Sequence, residues 1–196
     1  MFSSIGGRTR ARSGRPSSNR PREGEDLRYD LEIDFLDAFH GREMRLQYPD
    51  PLTQETKTLK LKIPLGVKDE QKLRLKGKGM PGINGGSPGD MYIVIHLKDH
   101  PRFTRDGEDL SVIQEIPFTI AVLGGKISLE GVDKPLTVTI PPGTKDGSIL
   151  RLKDQGFPKM GSEERGNLLV EIKIQVPNKI KKQQKEILEK LQETGL

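Results

Sequence analysis

Few residues in this chain have the types and spacing that catalysis or metal binding would need. The 196 residues include three histidines, His40, His96 and His100, and no cysteine. None of the histidines has a partner at the spacing of a zinc-binding H-E-x-x-H motif, and the lack of cysteine excludes a thiol nucleophile or a cysteine zinc site. No serine lies in a G-x-S-x-G motif. We therefore expect that the protein is not an enzyme and that it uses no metal and no other cofactor.

One glycine motif formally matches a nucleotide-binding site. Residues 77–82 read GKGMPG, which fits the G-x-G-x-x-G pattern. In a dinucleotide site this motif opens a helix, whose N-terminal amides bind the pyrophosphate. Pro81 and the further glycines up to Gly89 disfavour a helix here. The pattern therefore predicts a loop rather than a nucleotide site.

The same stretch is part of an internal repeat, which organises most of the chain. Residues 63–69 (IPLGVKD) recur as residues 140–146 (IPPGTKD), and LRLK at 73–76 recurs at 150–153, in both cases 77 positions later (140 − 63). Earlier in the chain the offset is 83 (124 − 41), because Gly41 corresponds to Gly124. Such a long self-match predicts two tandem copies of one structural unit, with extra residues in the first copy near Pro49.

Apolar and polar side chains alternate in both copies, as expected for strands with one buried face. In the first copy the pattern predicts strands at 27–34, 44–48, 59–63, 73–75 and 91–97, and a helical turn at 35–41 that Gly41 ends. The second copy repeats this order, with strands near 110–116, 127–129, 136–140, 150–152 and 168–176. The run at 91–97 is apolar on both faces, which is typical of a central strand. The predicted fold class is mostly β, with short helices.

Residues 1–25 differ in composition from the rest of the chain. They combine serine, glycine and proline with six arginines, and they hold too little apolar surface to offset the entropy of ordering. We predict a flexible linker, and we keep as an alternative an arm that binds RNA or DNA. The net charge of +5 permits weak nucleic-acid binding but does not argue strongly for it.

The chain has no feature of a membrane or secreted protein. No apolar run approaches the roughly 20 residues needed to cross a bilayer. No apolar segment near Met1 resembles a secretory signal. We therefore expect a cytoplasmic protein without membrane contact.

Residues 178–196 form the last predicted element, a helix. Asn178 is a suitable N-cap, and the apolar residues Ile180, Ile187, Leu188 and Leu191 recur at helical spacing. A single helix of this length is marginal in water, so its apolar stripe needs a partner. The helix either docks on its own domain or pairs with the same helix of a second chain, and the spacing does not distinguish the two.

Part of the apolar surface of the first copy forms a candidate binding groove. A two-layer β unit of this size has a thin core and can leave an apolar row uncovered at a strand edge, which is typical of a peptide-binding or protein-binding surface. The candidate residues are Tyr29, Leu31, Leu46, Tyr48 and Ile93. The same alternation is explained equally well if all five are core residues, so the groove is a hypothesis.

Several ordered motifs together resemble the C-terminal substrate-binding region of DnaJ-type (J-domain) co-chaperones. The resemblance rests on the strand and helical turn at 26–41, the two I-P-x-G motifs, LRLKGKG at 73–79, GDMY at 89–92, HPRFTRDGEDL at 100–110 and LGG at 123–125. It covers about residues 26–196. A series of motifs in this order is far more specific than any one of them.

The resemblance implies two tandem β-sandwich domains, at 26–103 and 104–177, and a dimerisation helix at 178–196 that forms a homodimer. It implies that the five groove candidates bind client peptide. Members of this family bind unfolded or misfolded polypeptides and deliver them to a DnaK-type ATPase chaperone. In some members, basic residues of the first domain also bind the acidic C-terminal tail of that chaperone, and Arg45 and Lys62 are the corresponding candidates here.

The sequence departs from the family pattern in two respects. It has no His-Pro-Asp signature of a J-domain, so this chain is not expected to stimulate a DnaK-type ATPase. It also has no cysteine-rich zinc module, so it resembles the zinc-free class. The chain is either a fragment of a longer protein or a natural version without a J-domain, and we favour a fragment, because the chain opens in linker-like sequence. A DNA-associated protein is the alternative function, since a few zinc-free relatives are associated with DNA.

Overall fold

The computed structural model describes residues 20–49 and 55–195. Within these residues it contains eleven strands and three short helices, which confirms the mostly β fold class. No helix among the described residues is both long enough and apolar enough to span a membrane.

The first copy consists of five strands and one short helix. They are β1 (Leu27–Ile33), α1 (Phe35–His40), β2 (Arg42–Pro49), β3 (Thr56–Ile63), β4 (Lys72–Leu75) and β5 (Met91–Leu97). One sheet has the order β1-β5-β4, so β5 is a central strand, as its apolar sequence predicts. The strands β2 and β3 form an antiparallel pair. The predicted turn between them falls mainly on residues 50–54, which lie outside the described residues.

The second copy repeats this arrangement with one additional short strand. Its elements are β6 (Thr104–Asp106), β7 (Asp109–Pro117), α2 (Phe118–Leu123), β8 (Gly125–Glu130), β9 (Pro135–Ile140), β10 (Ile149–Leu152) and β11 (Leu168–Gln175). One sheet has the order β10-β11-β7-β6, and β8 pairs with β9. Each copy therefore contains two sheets, in agreement with a β-sandwich type of architecture.

The element positions confirm the repeat and its change of offset. The helix α2 begins 83 residues after α1 (118 − 35), whereas β11 begins 77 residues after β5 (168 − 91). The difference lies in the β2–β3 hairpin, whose strands have eight residues each, against six each in the β8–β9 hairpin. The extra length of the first copy is therefore concentrated in one hairpin.

The segment before β1 is part of the folded chain. Arg22 and Ile83 exchange two backbone hydrogen bonds of 3.0 and 2.9 Å, and the amide of Gly24 donates to the carbonyl of Ser87 at 2.8 Å. A Cβ on Gly24 would collide with the carbonyl of Met80, so the segment and the glycine-rich loop meet through their backbones. The linker predicted over residues 1–25 therefore extends too far at its C-terminal end. Residues 1–19 lie outside the described residues.

The described chain divides into two compact units. One comprises residues 20–29 with Leu73–Ile93, and the other comprises the described residues of Asp30–Lys72 and Val94–Leu196. These limits differ from the domain limits predicted from the repeat, which stay predictions.

Within the second compact unit, α1 and residues 65–67 of the first copy contact residues 157–161 of the second copy. We call this contact the joint. Phe157 is fully buried, and its ring meets those of Phe35 and Phe39 edge-on, with centroids 5.1 and 5.3 Å apart. The amide of Gly161 donates to the carbonyl of Leu65 at 3.0 Å. Aromatic pairs in this geometry stabilise a contact beyond the area that they bury. The first and second copies are therefore in direct contact here.

The last element, α3 (Lys182–Glu193), begins later than the sequence predicts. Lys181 is its N-cap residue, and the amide of Lys181 donates to Oε1 of Gln184 at 2.8 Å. The N-cap prediction for Asn178 is wrong, because the Gln184 side chain closes the first turn instead. As a result, Ile180 precedes the helix. None of the α3 side chains is buried.

Candidate functional site

The five residues predicted to line the groove lie on three strands and differ in burial. Leu31, Leu46 and Ile93 are buried, whereas Tyr29 and Tyr48 are half-buried. Tyr29 and Leu31 share one face of β1, and Leu46 and Tyr48 share one face of β2, because side chains two positions apart point the same way. Ile93 lies on the central strand β5. The groove formed by all five residues stays a prediction.

The inner face of the β2–β3 hairpin is unevenly covered. The register places Met44 opposite Leu61, Leu46 opposite Leu59 and Tyr48 opposite Lys57. Leu46 and Leu61 are buried, whereas Met44, Leu59 and Tyr48 are half-buried, and of these five only Tyr48 lies farther from the base than the Leu46–Leu59 pair. The outer half of this hairpin therefore presents a partly exposed apolar row, in which Tyr48 is the largest side chain.

The second copy has an equivalent of Leu59, the half-buried Leu136, but none of Tyr48. The offset of 83 places Gly131 at the position of Tyr48, and the β8–β9 ladder already ends at the pair Glu130 and Pro135. Leu129, the equivalent of Leu46, is fully buried. The aromatic end of the row, Tyr48, is therefore a property of the longer hairpin of the first copy.

The outer face of the same hairpin is basic. Arg45 and Lys62, the two candidates for contact with an acidic tail, are both exposed. Arg45 stands opposite Lys60, and Lys62 stands opposite Glu43. Like charges on directly opposed residues repel each other, so this face favours an anionic partner. Sequence reasoning missed Lys60, because its position beside Arg45 depends on the register of the hairpin.

The apolar residues predicted for dimerisation lie largely in solvent. Ile180, Ile187 and Leu191 are exposed, and Leu188 is half-buried. The described chain therefore does not cover this stripe, and docking of α3 on its own domain is not observed. Of the four residues, Ile180 lies outside the helix.

The histidines have structural contacts rather than catalytic ones. His40 Nε2 lies 2.7 Å from Asp133 Oδ1, and His96 Nε2 lies 3.1 Å from Asp30 Oδ1. Burial opposes ionisation of Asp133, but hydrogen bonds from Arg165 and His40 hold the pKa of its carboxyl below the ordinary value. Among the described residues, no group of three or more histidine and acidic side chains could hold a metal ion.

His100 caps the turn between β5 and β6. Its Nδ1 accepts hydrogen bonds from the amides of Arg102 and Phe103, at 3.1 and 3.2 Å, and its ring lies between those of Phe35 and Phe103. Two donors facing Nδ1 require that this nitrogen is unprotonated. Burial, reinforced by the charge of Arg102, lowers the pKa of His100.

The sequence of the two copies matches a known protein family. Residues 27–177 match the model of the DnaJ C terminal domain. This chain belongs to the DnaJ C-terminal domain family. It is 32% identical over 251 residues to the Chaperone protein DnaJ of Nitratidesulfovibrio vulgaris (strain DP4), in an alignment that covers 96% of this chain and 67% of that protein. It is also 32% identical over 233 residues to the Chaperone protein DnaJ of Leptospira biflexa serovar Patoc (strain Patoc 1 / Ames), with coverage of 86% and 62%.

The chain is shorter than these DnaJ relatives. It spans 62% to 67% of their length in these two alignments. The first alignment has 251 residues and this chain has 196, so that relative carries at least 55 positions (251 − 196) without a counterpart here.

Proposed function

We propose that this chain is the client-binding part of a DnaJ-type co-chaperone. It binds unfolded or misfolded polypeptides and delivers them to a DnaK-type ATPase chaperone, without catalysing a reaction itself. Membership of the DnaJ C-terminal domain family supports this role. The observation that carries the assignment to the first copy is the half-buried Tyr48 on the β2–β3 hairpin, which has no equivalent in the second copy. The proposed location is the cytoplasm.

Binding would use an extended client segment. Such a segment pairs through its backbone with a strand edge and places alternate side chains in apolar pockets. Tyr48 suits this role, because its ring is a large flat apolar surface and its hydroxyl can remain in water. The buried Leu46, on the same face of β2, would lie beneath it, and the participation of Tyr29, Leu31 and Ile93 stays a prediction.

The experiment that tests this function measures how well the chain suppresses aggregation of a heat-denatured model protein. Tyr48→Ser removes the ring, and Gln47→Ser, on the outer face of the same strand, is the matched control. Leu46→Ser is a less suitable variant, because truncating a buried leucine costs about 2–5 kcal/mol of folding stability. The proposal predicts that Tyr48→Ser loses protection and that Gln47→Ser retains it. Equal protection by the parent chain and Tyr48→Ser would exclude the hairpin as the client site.

The outer face of the hairpin is proposed as the contact for the acidic tail of the DnaK-type partner. Arg45 and Lys62 are exposed, and Lys60 lies on the same face beside them. Binding of a labelled acidic peptide should weaken as salt is added, since exposed charges are screened within about 10 Å at 0.1 M salt. The double variant Arg45→Glu with Lys62→Glu should not bind the peptide, whereas Tyr48→Ser should bind it normally.

The stripe on α3 is proposed as a homodimer contact. Ile187 and Leu191 lie one turn apart on the helix, and both are exposed in the single chain. Pairing with the same helix of a second chain would remove this apolar surface from water. The nucleic-acid alternative rests on residues 1–25, most of which lie outside the described residues, and no observation favours it.

A further inference from the structure

The joint shows which residues pack against the α1 face of the first copy. Phe39 is only 1% exposed, because the ring of Phe157 covers it. A Cβ on Gly66 would collide with the carbonyl of Pro158, so residues 158–160 lie directly against this glycine. Arg105 donates to the carbonyls of Val67 and Gly66, at 2.8 and 3.4 Å. The side chains of Phe157 and Arg105, from the second copy, together thus cover one face of the first copy.

The second copy has the same face, and the described chain leaves it open. The offset of 83 places Val122 at the position of Phe39 and Leu123 at that of His40. Val122 is 50% exposed and Leu123 is 76% exposed. Gly143, the equivalent of Gly66, has the same φ of 76°, but a Cβ there would meet nothing within 4 Å. We call Val122, Leu123 and Gly143 the acceptor face.

The carbonyls of the acceptor face are open as well. In the first copy, Arg105 occupies the carbonyls of Gly66 and Val67. Within the part of the chain that the structure describes, no group donates to the carbonyls of the equivalent residues Gly143 and Thr144. These carbonyls carry partial negative charge, so the acceptor face is complementary to a guanidinium beside an apolar side chain.

The first copy carries the matching group of residues. Arg22 is the equivalent of Arg105 (105 − 22 = 83), and Met80 is the equivalent of Phe157 (157 − 80 = 77). Ile83 is the equivalent of Met160 and is 61% exposed. Arg22 and Ile83 are held together by their paired backbones. We call Arg22, Met80 and Ile83 the donor face.

We propose that the acceptor face of one chain binds the donor face of a second copy of this chain. The joint within the chain is the template for this contact. Terminal repeats in repeat proteins normally present a polar outer face, whereas Val122 and Leu123 are apolar. Because donor and acceptor faces differ, the contact is heterologous and each chain can use both of its faces. It is therefore distinct from the α3 dimer of the proposed function.

The contact between chains is weaker than the joint. In the joint, Asp133 binds both His40 and Arg165, at 2.7 Å each. Leu123 is the equivalent of His40 in the second copy, and Pro88 is the equivalent of Arg165 in the first copy. The contact between chains therefore cannot form these ion pairs. Association through the two faces therefore needs a higher protein concentration than a contact that includes them.

Sedimentation velocity of the full chain at increasing concentration tests this contact. All variants carry Ile187→Asp and Leu191→Asp, which remove the α3 stripe. This background should still associate as its concentration rises. Leu123→Asp or Ile83→Asp should each abolish the association. Ile113→Asp is the matched control, because Ile113 is also 61% exposed but lies on β7, outside both faces.

A mixing experiment decides whether the contact joins two different faces. The Leu123→Asp chain keeps its donor face, and the Ile83→Asp chain keeps its acceptor face. Each should be monomeric alone, and the mixture should form a one-to-one complex. The proposal is overturned if the background does not associate, if Ile113→Asp disrupts association as strongly as Leu123→Asp, or if the mixture stays monomeric. None of these outcomes bears on client binding, which is measured separately with Tyr48→Ser.

Discussion

The guanidinium carbon of Arg105 lies 3.5 Å from the centroid of the Phe157 ring, and Nη1 of the same arginine donates to the carbonyl of Val67 at 2.8 Å. The arginine thus binds a side chain of the second copy and the backbone of the first. Burial lowers the pKa of Arg105, but a guanidinium group stays protonated at physiological pH. The joint depends on this permanently charged group.

Replacing Arg105 by methionine tests how much this contact stabilises the fold. The variant Arg105→Met loses hydrogen bonds to a charged group and a cation–π contact, so we expect a loss of about 2–4 kcal/mol in the free energy of unfolding. Arg102→Met is the control, because Arg102 forms an exposed ion pair with Glu130 and a longer cation–π contact with Phe103, 5.7 Å from the ring centroid, each worth at most about 1 kcal/mol. Urea denaturation measures both variants. Similar losses of unfolding free energy in both variants would show that the contacts of Arg105 stabilise the fold no more than those of Arg102.

Two equivalent glycines separate backbone strain from contact across the joint. Gly66 and Gly143 have the same φ of 76°, so Gly66→Ala and Gly143→Ala introduce similar strain, of about 1–2 kcal/mol. Only Gly66 lies against residues 158–160, and an added methyl group there must displace backbone. We expect thermal unfolding to show an additional loss of about 1–3 kcal/mol for Gly66→Ala. Equal losses would contradict the close approach at Gly66.

The cap formed by His100 should make folding stability depend on pH. Its pKa in the folded chain is lowered from the ordinary 6.5, first by burial and then by Arg102. Below pH 6.5 the unfolded chain therefore binds more protons than the folded chain. The stabilising contribution of His100 is fully present above pH 6.5 and is lost as the pH falls towards the lowered pKa.

The variant His100→Asn isolates this effect. Asparagine offers an oxygen where Nδ1 accepts its hydrogen bonds, and it does not titrate. Between about pH 7.5 and pH 5, the free energy of unfolding should fall more in the parent than in His100→Asn. His40 and His96 are present in both proteins, so the difference reports His100 alone. Parallel pH profiles would contradict the proposed role of the Nδ1 atom.

The exposed stripe on α3 leads to a prediction about the oligomeric state. The chain should be dimeric at micromolar concentration, and Ile187→Asp with Leu191→Asp should make it mostly monomeric. Gln183→Asp with Gln192→Asp changes the charge of the same helix by the same amount and should leave the dimer intact. Multi-angle light scattering gives the mass directly. A monomeric parent chain, or equal masses for both double variants, would exclude α3 as the contact.

The elements of the fold were predictable because the repeat and the alternation are local signals. The match of residues 63–69 with 140–146 fixes corresponding strands in both copies, and the glycines at 41 and 124 mark the ends of α1 and α2. The start of α3 was not predicted, because Asn178 and Lys181 compete for the N-cap position. Asn178 has the better intrinsic preference, but the amide of Lys181 forms the bond with the Gln184 side chain that closes the first turn.

The joint and the basic face could not be predicted, because they depend on contacts between distant segments. Nothing near Arg105 in the sequence indicates that it reaches Val67, 38 positions away. Likewise, Lys60 joins Arg45 only through the register of the hairpin. The groove is an intermediate case. Alternation selects its candidate residues, but it does not show that Leu46 is buried while Tyr48 remains half-buried.

We expect the first copy to bind non-native polypeptides through the outer half of the β2–β3 hairpin. A photo-crosslinking amino acid at position 48, and in a control chain at position 47 on the opposite face of β2, tests this expectation. Each chain is illuminated with a heat-denatured model protein. Position 48 should crosslink strongly to that protein and position 47 only weakly. Equal yields at the two positions, or no crosslink from position 48, would contradict this expectation.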